Sequence, residues 1–374
     1  MAAVEPDSAR AEQTSIQYGI PVFSSVDRLL SSNARIDAAS VAVPTVHHHA
    51  VAAELLDAGV DVLVEKPLAA SLAEADDLIA RAEQGKRILQ PGHLERFNPA
   101  VLAIEPRLRR PMFFEAHRLS VFTPRALDVD VVLDLMIHDL DIVLTFAASP
   151  VREVRAVGLP ILSPKVDIAN VRVEFESGCV ANFTASRVST ERVRKLRFFE
   201  PRQYVSIDYA RRDVLVIRID PPPAVGPTPR RDSEAGEAIG AAAAEFLKTG
   251  TLDAATLQGV IASGQVPAGL LMKVLAAKND PEKLKEIAKG LAGPLSGPHD
   301  GPAPGLSFVK PEVTPGEPLK LELSAFLDSV RMRRPPLVTA QQGRAALALA
   351  LEIQATMAAH AQRAGLEDFS NASA

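Results

Sequence analysis

Apolar residues in the first hundred positions alternate between short continuous runs and helical spacing. The continuous runs, typical of strands buried in a parallel sheet, lie at 39–44, 60–64 and 88–93. One helix is predicted over 46–58, with Thr45 as its cap and Gly59 as its stop. A second follows the capping residue Ser71 and ends at Gly85. Strands that alternate with helices predict a parallel α/β sheet of the dinucleotide-binding type.

Beyond about residue 110 the pattern changes to consecutive extended segments without intervening helices. These segments, rich in β-branched residues or alternating in polarity, lie at 113–121, 151–157, 171–175, 180–186, 195–199, 204–209 and 214–219. Consecutive strands predict a mostly antiparallel sheet. The expected fold class is therefore an α/β Rossmann-type sheet followed by an α+β domain with an open antiparallel sheet.

The last third of the chain combines breakers with helical segments. Stretches rich in Pro and Gly, at 221–231 and 290–305, enclose an Ala-rich helical stretch at 234–291. Amphipathic helices are predicted at 319–332 and 339–361. The predicted organisation is a dinucleotide-binding domain, an antiparallel-sheet domain for substrate and dimerisation, a helical insertion, a C-terminal strand with helices, and a tail. Their respective bounds are 1–95, 96–220, 221–305, 306–361 and 362–374.

Composition narrows the function class. The chain of 374 residues has 41 Lys and Arg against 46 Asp and Glu, which gives a net charge of −5 and no basic field for nucleic acid or an anionic membrane. The single cysteine, Cys179, permits no intramolecular disulfide, and no Cys/His spacing suggests zinc. No export signal or run of eighteen apolar residues is visible. We expect a cytoplasmic protein that binds small molecules.

Three segments carry candidate chemistry, and they lie at 65–67, 92–98 and 134–139. Lys66 follows a predicted buried strand, where ligands of open α/β sheets bind, although a lysine there is usually a solvated loop charge. Asp134 and His138 are four residues apart and would share one face of an apolar helix. In the structural interpretation, Asp134 caps the helix and His138 is a hydrogen-bonded core residue. In the functional interpretation, the pair provides a general base for an alcohol proton, with His138 able to titrate near neutral pH. The tract His47, His48 and His49 cannot converge on one metal from a helix, so no metal is predicted.

Four segments in order resemble one enzyme family. PTVHHH, AGVDVLVEKPLA, GHLERFNPA and DLMIHDLDI are similar to segments of the glucose-fructose oxidoreductase, inositol dehydrogenase and rhizopine-catabolism family. The closing run at 317–353 is similar to that family's C-terminal helices. The resemblance covers about residues 1–220 and 305–361 and implies an NAD(P)-dependent oxidoreductase with NAD or NADP as cofactor.

The resemblance also implies site residues. It implies catalytic roles for Lys66, Asp134 and His138. It implies cofactor binding by Glu5, Pro44, Thr45, His48, Glu65, Lys66 and His93, and substrate binding by Arg96, Asn98 and Asp134. In these roles an ammonium group and a titratable imidazole near one carbinol carbon suffice for alcohol oxidation.

The sequence departs from the family at its start. Family members begin with a strand and a Gly-x-Gly-x-x-Gly turn that binds pyrophosphate, and this chain contains no such run. Glu5 aligns with the end of the family's second strand, so the Rossmann sheet is expected to be N-terminally truncated. Two explanations are open: a start codon assigned too far downstream, or a shortened chain that binds cofactor poorly.

Within the family the segments are most similar to bacterial nucleotide-sugar dehydrogenases that oxidise the 3-hydroxyl of UDP-N-acetylglucosamine for lipid A or surface glycans. The guanidinium groups of Arg96, Arg118, Arg187 and Arg192 suit a diphosphate, or are surface charges. The alternative function is a catalytically impaired relative that serves as a dimeric interaction module. Retention of Lys66, Asp134 and His138 together favours the enzyme, whereas the missing glycine loop favours the interaction module. We expect a homo-oligomer that forms through the antiparallel sheet.

Overall fold

The structure, a computed structural model, describes residues 1–123, 129–219 and 306–366. The Ala-rich stretch predicted to be helical at 234–291 lies outside these ranges. The chain forms two compact units. The first combines Met1–Phe198, Ser206–Val214 and Glu312–Ala374, and the second combines Phe199–Val205 with Leu215–Pro311. Every predicted site residue belongs to the first unit.

Strands and helices alternate through the first hundred residues, as predicted. In order they are β1 (Ala3–Val4), α1 (Ser8–Tyr18), β2 (Val22–Phe23), α2 (Val26–Leu30), β3 (Ala38–Val41), α3 (His48–Asp57), β4 (Asp61–Glu65), α4 (Leu72–Gly85) and β5 (Leu89–Gly92). Strands β3, β4 and β5 form one parallel sheet, and β1 and β2 form another. Buried aliphatic side chains of β4, α3 and α4 fill the core beside them. The predicted parallel α/β class is confirmed.

The parallel strands are divided between two separate sheets. In the doubly wound order 3-2-1-4-5-6, the first strand lies between the second and the fourth. Here β1 and β2 correspond to the second and third strands of that order, and β3 to the fourth. Within the described ranges no strand pairs with β3 on the side away from β4.

Some of the predicted helix caps and stops are present in the structure, and others are not. The Ser71 hydroxyl accepts the Glu74 N–H at 3.3 Å and caps α4 as predicted. Gly59 has φ +78° and stops α3 as predicted. The predicted Thr45 cap is wrong, because Thr45–His47 form a 3₁₀ turn without a side-chain cap. Helix α4 includes Gly85 and ends at Lys86, which adopts φ +52°.

A third sheet has eight strands within the described ranges. They are β6 (Phe113–Leu119), β7 (Val151–Leu159), β8 (Ile168–Phe175), β9 (Val180–Ser186), β10 (Val193–Glu200), β11 (Gln203–Asp208), β12 (Asp213–Ile219) and β13 (Leu306–Val309). Their order is β13-β12-β11-β10-β6-β9-β8-β7. The sheet is mostly antiparallel, as predicted, but β6 pairs with β9 in parallel. Sequence alternation located the strands and gave no sign of this pairing, because it does not record direction.

A short helix connects β5 to β6 along the chain, and a second helix connects β6 to β7. Helix α5 (Pro99–Ile104) follows a 3₁₀ turn at Leu94–Phe97, and α6 (Ile137–Ala147) follows a π-helical turn at Val132–Met136. Phe114, Phe146 and Phe198 stack edge-on or tilted beneath the eight-stranded sheet, with ring centroids 5.6 and 6.1 Å apart. This aromatic contact packs α6 against the inner face of the sheet.

Two C-terminal helices complete the first unit. Helix α8 (Ala340–Arg363) starts at a capping box of Thr339 and Gln342 and packs against α4, α6, β5 and β7. Helix α7 (Pro318–Met332) does not divide cleanly into a buried apolar face and an exposed polar face. Leu319, Leu323 and Leu327 are exposed, whereas the Glu322 side chain is fully buried. No helix in the described ranges combines the length and apolar character needed to cross a membrane.

Candidate active site

The carboxyl ends of three parallel strands meet at one edge of the sheet. Glu65 pairs in register with Gly92, so Lys66 and His93 both leave the sheet at this edge. Pro44 and Thr45 follow β3 on the same side. Pro44 is exposed and Thr45 half-buried. Ligands of open α/β sheets bind at such an edge.

The Lys66 ammonium group contacts the segment that carries Asp134. Its Nζ donates to the Asp134 carbonyl oxygen at 2.7 Å and to the Leu133 carbonyl oxygen at 3.4 Å. Nζ also lies 3.8 Å from Asp134 Oδ1, and the two side chains are 20% and 30% exposed. Burial lowers the pKa of Lys66 below its ordinary value, and the negative charge of Asp134 opposes that shift. A half-buried cation thus sits against a half-buried carboxylate.

The Asp134 segment is a π-helical turn rather than the predicted α-helical one. Ile137 donates its N–H to the Val132 carbonyl oxygen, which spans five residues instead of four. Asp130 anchors the start of the turn, because its Oδ1 accepts the N–H groups of Val132 and Leu133 at 2.8 and 3.0 Å. The carbonyl oxygens that bind Lys66 belong to this wider turn.

His138 lies in the first turn of α6, within electrostatic reach of Lys66. Burial lowers its pKa well below the ordinary value, and the positive charges of Lys66 and Arg118 lower it further. The imidazole is therefore neutral near pH 7, and its Nδ1 has no hydrogen-bond partner among the described residues. The structure brings together the predicted trio Lys66, Asp134 and His138.

His93, predicted to bind cofactor, is 1% exposed at the foot of this site. Its Nδ1 lies 3.8 Å from Asp141 Oδ2, and burial lowers the pKa of the ring. Neither ring nitrogen has a hydrogen-bond partner in the part of the chain that the structure describes. His93 is thus a polar wall of the site rather than a surface group.

Arg96 and Asn98, predicted to bind substrate, are directed into the protein. Arg96 donates to Thr145 Oγ1 at 2.6 Å and lies 3.8 Å from Asp141. The Asn98 amide donates to Glu95 Oε2 and to the Tyr209 carbonyl oxygen, and its Oδ1 caps α5. Both side chains are almost fully buried. These contacts account for Arg96 and Asn98 without a substrate.

The other arginines that were predicted to suit a diphosphate or to be surface charges are Arg118, Arg187 and Arg192, and they differ in burial. Arg118 pairs with Asp139 at 2.7 Å and with Glu95 at 2.9 Å. Arg187 pairs with Asp167 at 2.6 Å. Both are buried, and the structure gives them internal partners, whereas Arg192 is exposed. Residue type alone does not distinguish a buried arginine from a surface arginine. The sequence therefore could not show which of these arginines have partners inside the protein.

Three predicted cofactor residues make contacts within the chain. The Glu5 carboxylate follows β1, accepts the Asp7 N–H at 2.9 Å and lies 4.0 Å from Arg10. His48 is 1% exposed and has a backbone carbonyl oxygen beside each ring nitrogen. The Glu65 carboxylate accepts the backbone N–H of Lys66, with 3.3 Å between Oε2 and the nitrogen.

Glu322, a buried acid near Glu65, is a candidate site residue that was not predicted. It lies on the inward face of α7 with Pro318 and Phe326, and neither carboxyl oxygen has a hydrogen-bond partner among the described residues. Burial, and then the negative charge of Glu65, raise the pKa of Glu322 to about 8. An acid in place of an apolar residue on the buried stripe of the helix was the available signal.

Glu322 should make the free energy of unfolding fall as the pH rises. The folded chain keeps a proton that the unfolded chain loses above 4.5, so this contribution is complete below 4.5 and is lost by about pH 8. The slope over that window is about 1.4 kcal/mol per pH unit. Urea unfolding across the window should show it as a difference between the wild type and Glu322→Gln. Glu352→Gln, at an exposed position of α8, should keep the wild-type slope; an unchanged slope in Glu322→Gln would contradict the assignment.

Comparison with known proteins identifies the family. The model of the oxidoreductase family with the NAD-binding Rossmann fold matches residues 1–93, and the C-terminal domain model of the same family matches residues 100–201. Together they span just over half of the chain. The chain belongs to the Gfo/Idh/MocA oxidoreductase family. The motif resemblance is thereby confirmed, as is a nicotinamide cofactor for its Rossmann domain.

The relatives include a dehydrogenase of nucleotide sugars. UDP-N-acetylglucosamine 3-dehydrogenase of Acidithiobacillus ferrooxidans is 39% identical over 206 residues, which are 55% of this chain and 65% of the relative. Its crystal structure superposes with a TM-score of 0.70 at 27% identity, over 95% of this chain and 89% of that one. Scyllo-inositol 2-dehydrogenase of Bacillus subtilis is 27% identical over 50% of this chain. The matches span 65% and 58% of these two relatives.

A more distant structure shares the fold alone. The WlbA dehydrogenase of Chromobacterium violaceum, solved with NADH and UDP-GlcNAcA, has a TM-score of 0.61 at 12% identity. It covers 96% of this chain and 86% of its own. The fold of this chain is thus shared with a protein of very different sequence.

Proposed function

We propose that this chain is an NAD-dependent dehydrogenase that oxidises a secondary hydroxyl of a nucleotide sugar. The group proposed is the 3-hydroxyl of UDP-N-acetylglucosamine, which is the substrate in the name of the 39% identical relative. The observation that carries the proposal is the contact between Lys66 and Asp134, with neutral His138 in the field of Lys66. Ammonium, carboxylate and imidazole groups in one place are what alcohol oxidation requires.

Each of the three side chains has a distinct task in this reaction. Neutral His138 accepts the hydroxyl proton as general base, because its ring is unprotonated near pH 7. The Lys66 ammonium group stabilises the negative charge that develops on the substrate oxygen. The Asp134 carboxylate accepts hydrogen bonds from sugar hydroxyls and holds Lys66 in its place. The products are the ketone, reduced cofactor and one proton.

The residues at the strand ends fit the nicotinamide side of the cofactor. Pro44, Thr45 and Glu65 follow or end parallel strands at the edge where Lys66 lies, and we propose that they hold it. Bound NAD supplies the hydride acceptor. Glu5 stands at the end of β1, where the resemblance places the contact to the adenosine ribose.

The test is an assay of the purified chain with NAD⁺ and UDP-N-acetylglucosamine, followed by the absorbance of reduced cofactor. We expect turnover with this sugar and less with UDP-glucose, which lacks the acetamido group. Binding of NAD⁺ by calorimetry is measured in parallel. Binding without turnover across UDP-sugars and free sugars would contradict the dehydrogenase and favour the interaction module.

The setting of the reaction follows from its reagents. We propose a cytoplasmic enzyme, since nicotinamide cofactors and UDP-sugars are cytoplasmic pools, with a role in lipid A or surface-glycan precursors. A homo-oligomer through the eight-stranded sheet stays a prediction. Polar pairs that would lie in such an interface include Glu115 with Arg197 at 2.9 Å and Asn170 with Thr184 at 3.0 Å.

A further inference from the structure

Asp130 stands just before the π-helical turn, and its carboxylate contacts two parts of the first unit. Oδ1 accepts the N–H groups of Val132 and Leu133 at 2.8 and 3.0 Å. Oδ2 accepts the side-chain amide of Gln354, which lies on α8. One carboxylate therefore joins the C-terminal helix to the turn.

The peptide between Leu133 and Asp134 connects Asp130 to Lys66. Its N–H donates to the Asp130 carbonyl oxygen at 3.0 Å, and its own carbonyl oxygen accepts from Lys66 Nζ at 3.4 Å. The next carbonyl oxygen, that of Asp134, accepts from Nζ at 2.7 Å. Because a peptide unit is planar, its N–H and its carbonyl group turn together. A displacement at Asp130 therefore moves the oxygens to which the ammonium group donates.

The backbone on either side of Asp130 is bonded to the ends of strands β8 and β9. The Val129 carbonyl oxygen accepts from the guanidinium of Arg187, which follows β9, at 2.7 Å. The Val131 N–H donates at 3.0 Å to the carbonyl oxygen of Val166, which precedes β8. Asp130 is thus held from the strand side, and its carboxylate reaches from there to the turn and to α8.

We propose that Asp130 is a positioning residue whose carboxylate holds the π-helical turn and so fixes the carbonyl oxygens to which the Lys66 ammonium group donates. Gln354 orients this carboxylate from α8, so the C-terminal helix takes part in placing the lysine. The effect on turnover rests on the proposed dehydrogenase. The effect on the surroundings of Lys66 does not.

The first test follows the Lys66 amine itself. The chain is treated with a trace of acetic anhydride at constant pH, and mass spectrometry of its peptides gives the acetylation rate at each lysine. In Asp130→Ala the rate at Lys66 should rise by about 10-fold, the scale of one lost hydrogen bond to a charged group, because an amine released from carbonyl acceptors loses its proton more readily. Exposed Lys86 should keep its rate. An unchanged rate at Lys66 would overturn the proposal, whether or not the protein is an active dehydrogenase.

The second test separates positioning from simple capping of a helix. Asp130→Ala should lower kcat by about 10-fold to 100-fold, the scale of a misplacement of about 1 Å, with little change in KM for the sugar. Asp130→Asn keeps an oxygen for both N–H groups and should recover most of the loss. Gln354→Met removes only the contact from α8 and should lower kcat by a smaller factor. Loss of thermal stability with unchanged kcat in Asp130→Ala would contradict positioning.

Two comparisons complete the design. The Glu317 carboxylate also accepts two backbone N–H groups, at the exposed start of α7, so Glu317→Ala removes an equivalent cap and should keep wild-type kcat. In a Lys66→Met background, Asp130→Ala should cause no further loss, because the group that it positions is gone. A full additional loss in that background, or an equal loss in Glu317→Ala, would show that Asp130 does not act through Lys66.

Discussion

Replacing Lys66 with Met is expected to lower turnover by about 10²-fold or more, the scale of lost acid-base or electrostatic assistance. Methionine keeps the length of the side chain and removes the charge that contacts Asp134. His138→Gln should lose a comparable factor, because the amide cannot accept the proton as a base. The measurement is kcat and kcat/KM with UDP-N-acetylglucosamine under saturating NAD⁺.

The pH profile sharpens this expectation. The pKa of His138 lies well below 6.5, so the acid limb of kcat/KM should fall below the pH of an ordinary histidine. The pKa of Lys66 is lowered from 10.5, so the alkaline limb should begin below that value. Each limb should disappear in the matching variant. Lys165→Met, at an exposed lysine of the first unit, should behave as wild type; wild-type turnover in both site variants would contradict the assigned roles.

Arg118→Met is expected to lower the free energy of unfolding by about 3–5 kcal/mol, the cost of breaking a buried ion pair from one side. The guanidinium donates to both oxygens of Asp139 at 2.7 and 3.0 Å and to Glu95 at 2.9 Å. It also stacks 5.1 Å above the Tyr209 ring centroid. Methionine leaves two carboxylates buried without their cation.

The matched control for this variant is Arg155→Met. Arg155 also pairs with a carboxylate at 2.7 Å, that of Glu153, but its side chain is 73% exposed against 4% for Arg118. An exposed pair contributes about 1 kcal/mol or less. Urea unfolding of both variants gives the comparison. Equal losses would show that burial does not determine the strength of the Arg118 cluster.

Much of the fold was accessible from the sequence because burial leaves a periodic trace. Strand β9, Val180–Ser186, was predicted with the bounds that the structure has, since its apolar residues alternate and turns flank it. The alternation says nothing about strand direction, so the parallel pairing of β6 with β9 was not predictable. Gly85 was predicted to end α4 because glycine usually adopts the left-handed conformation at a helix end. In the structure Lys86 adopts that conformation instead.

The candidate site was predictable only in part for a related reason. Lys66, Asp134 and His138 stand in recognisable segments, and the structure brings them together. The segment around Arg96 and Asn98 was equally recognisable, but its side chains hold the fold together instead. A motif records which residues accompany one another and not which way they point. Glu322, distant in sequence, reaches Glu65 only through the packing of α7.

The wide turn at Val132–Met136 holds one residue more than an α-helical turn would. Deleting one residue between Asp134 and His138 would let an ordinary helix form and swing the carboxylate about 100° around the axis. The spacing of Asp134 and His138 therefore sets the relative directions of their side chains only in combination with the extra residue of the π-helical turn. A variant of this chain without the extra residue would place the Asp134 carboxylate and the His138 ring in a different geometry around Lys66.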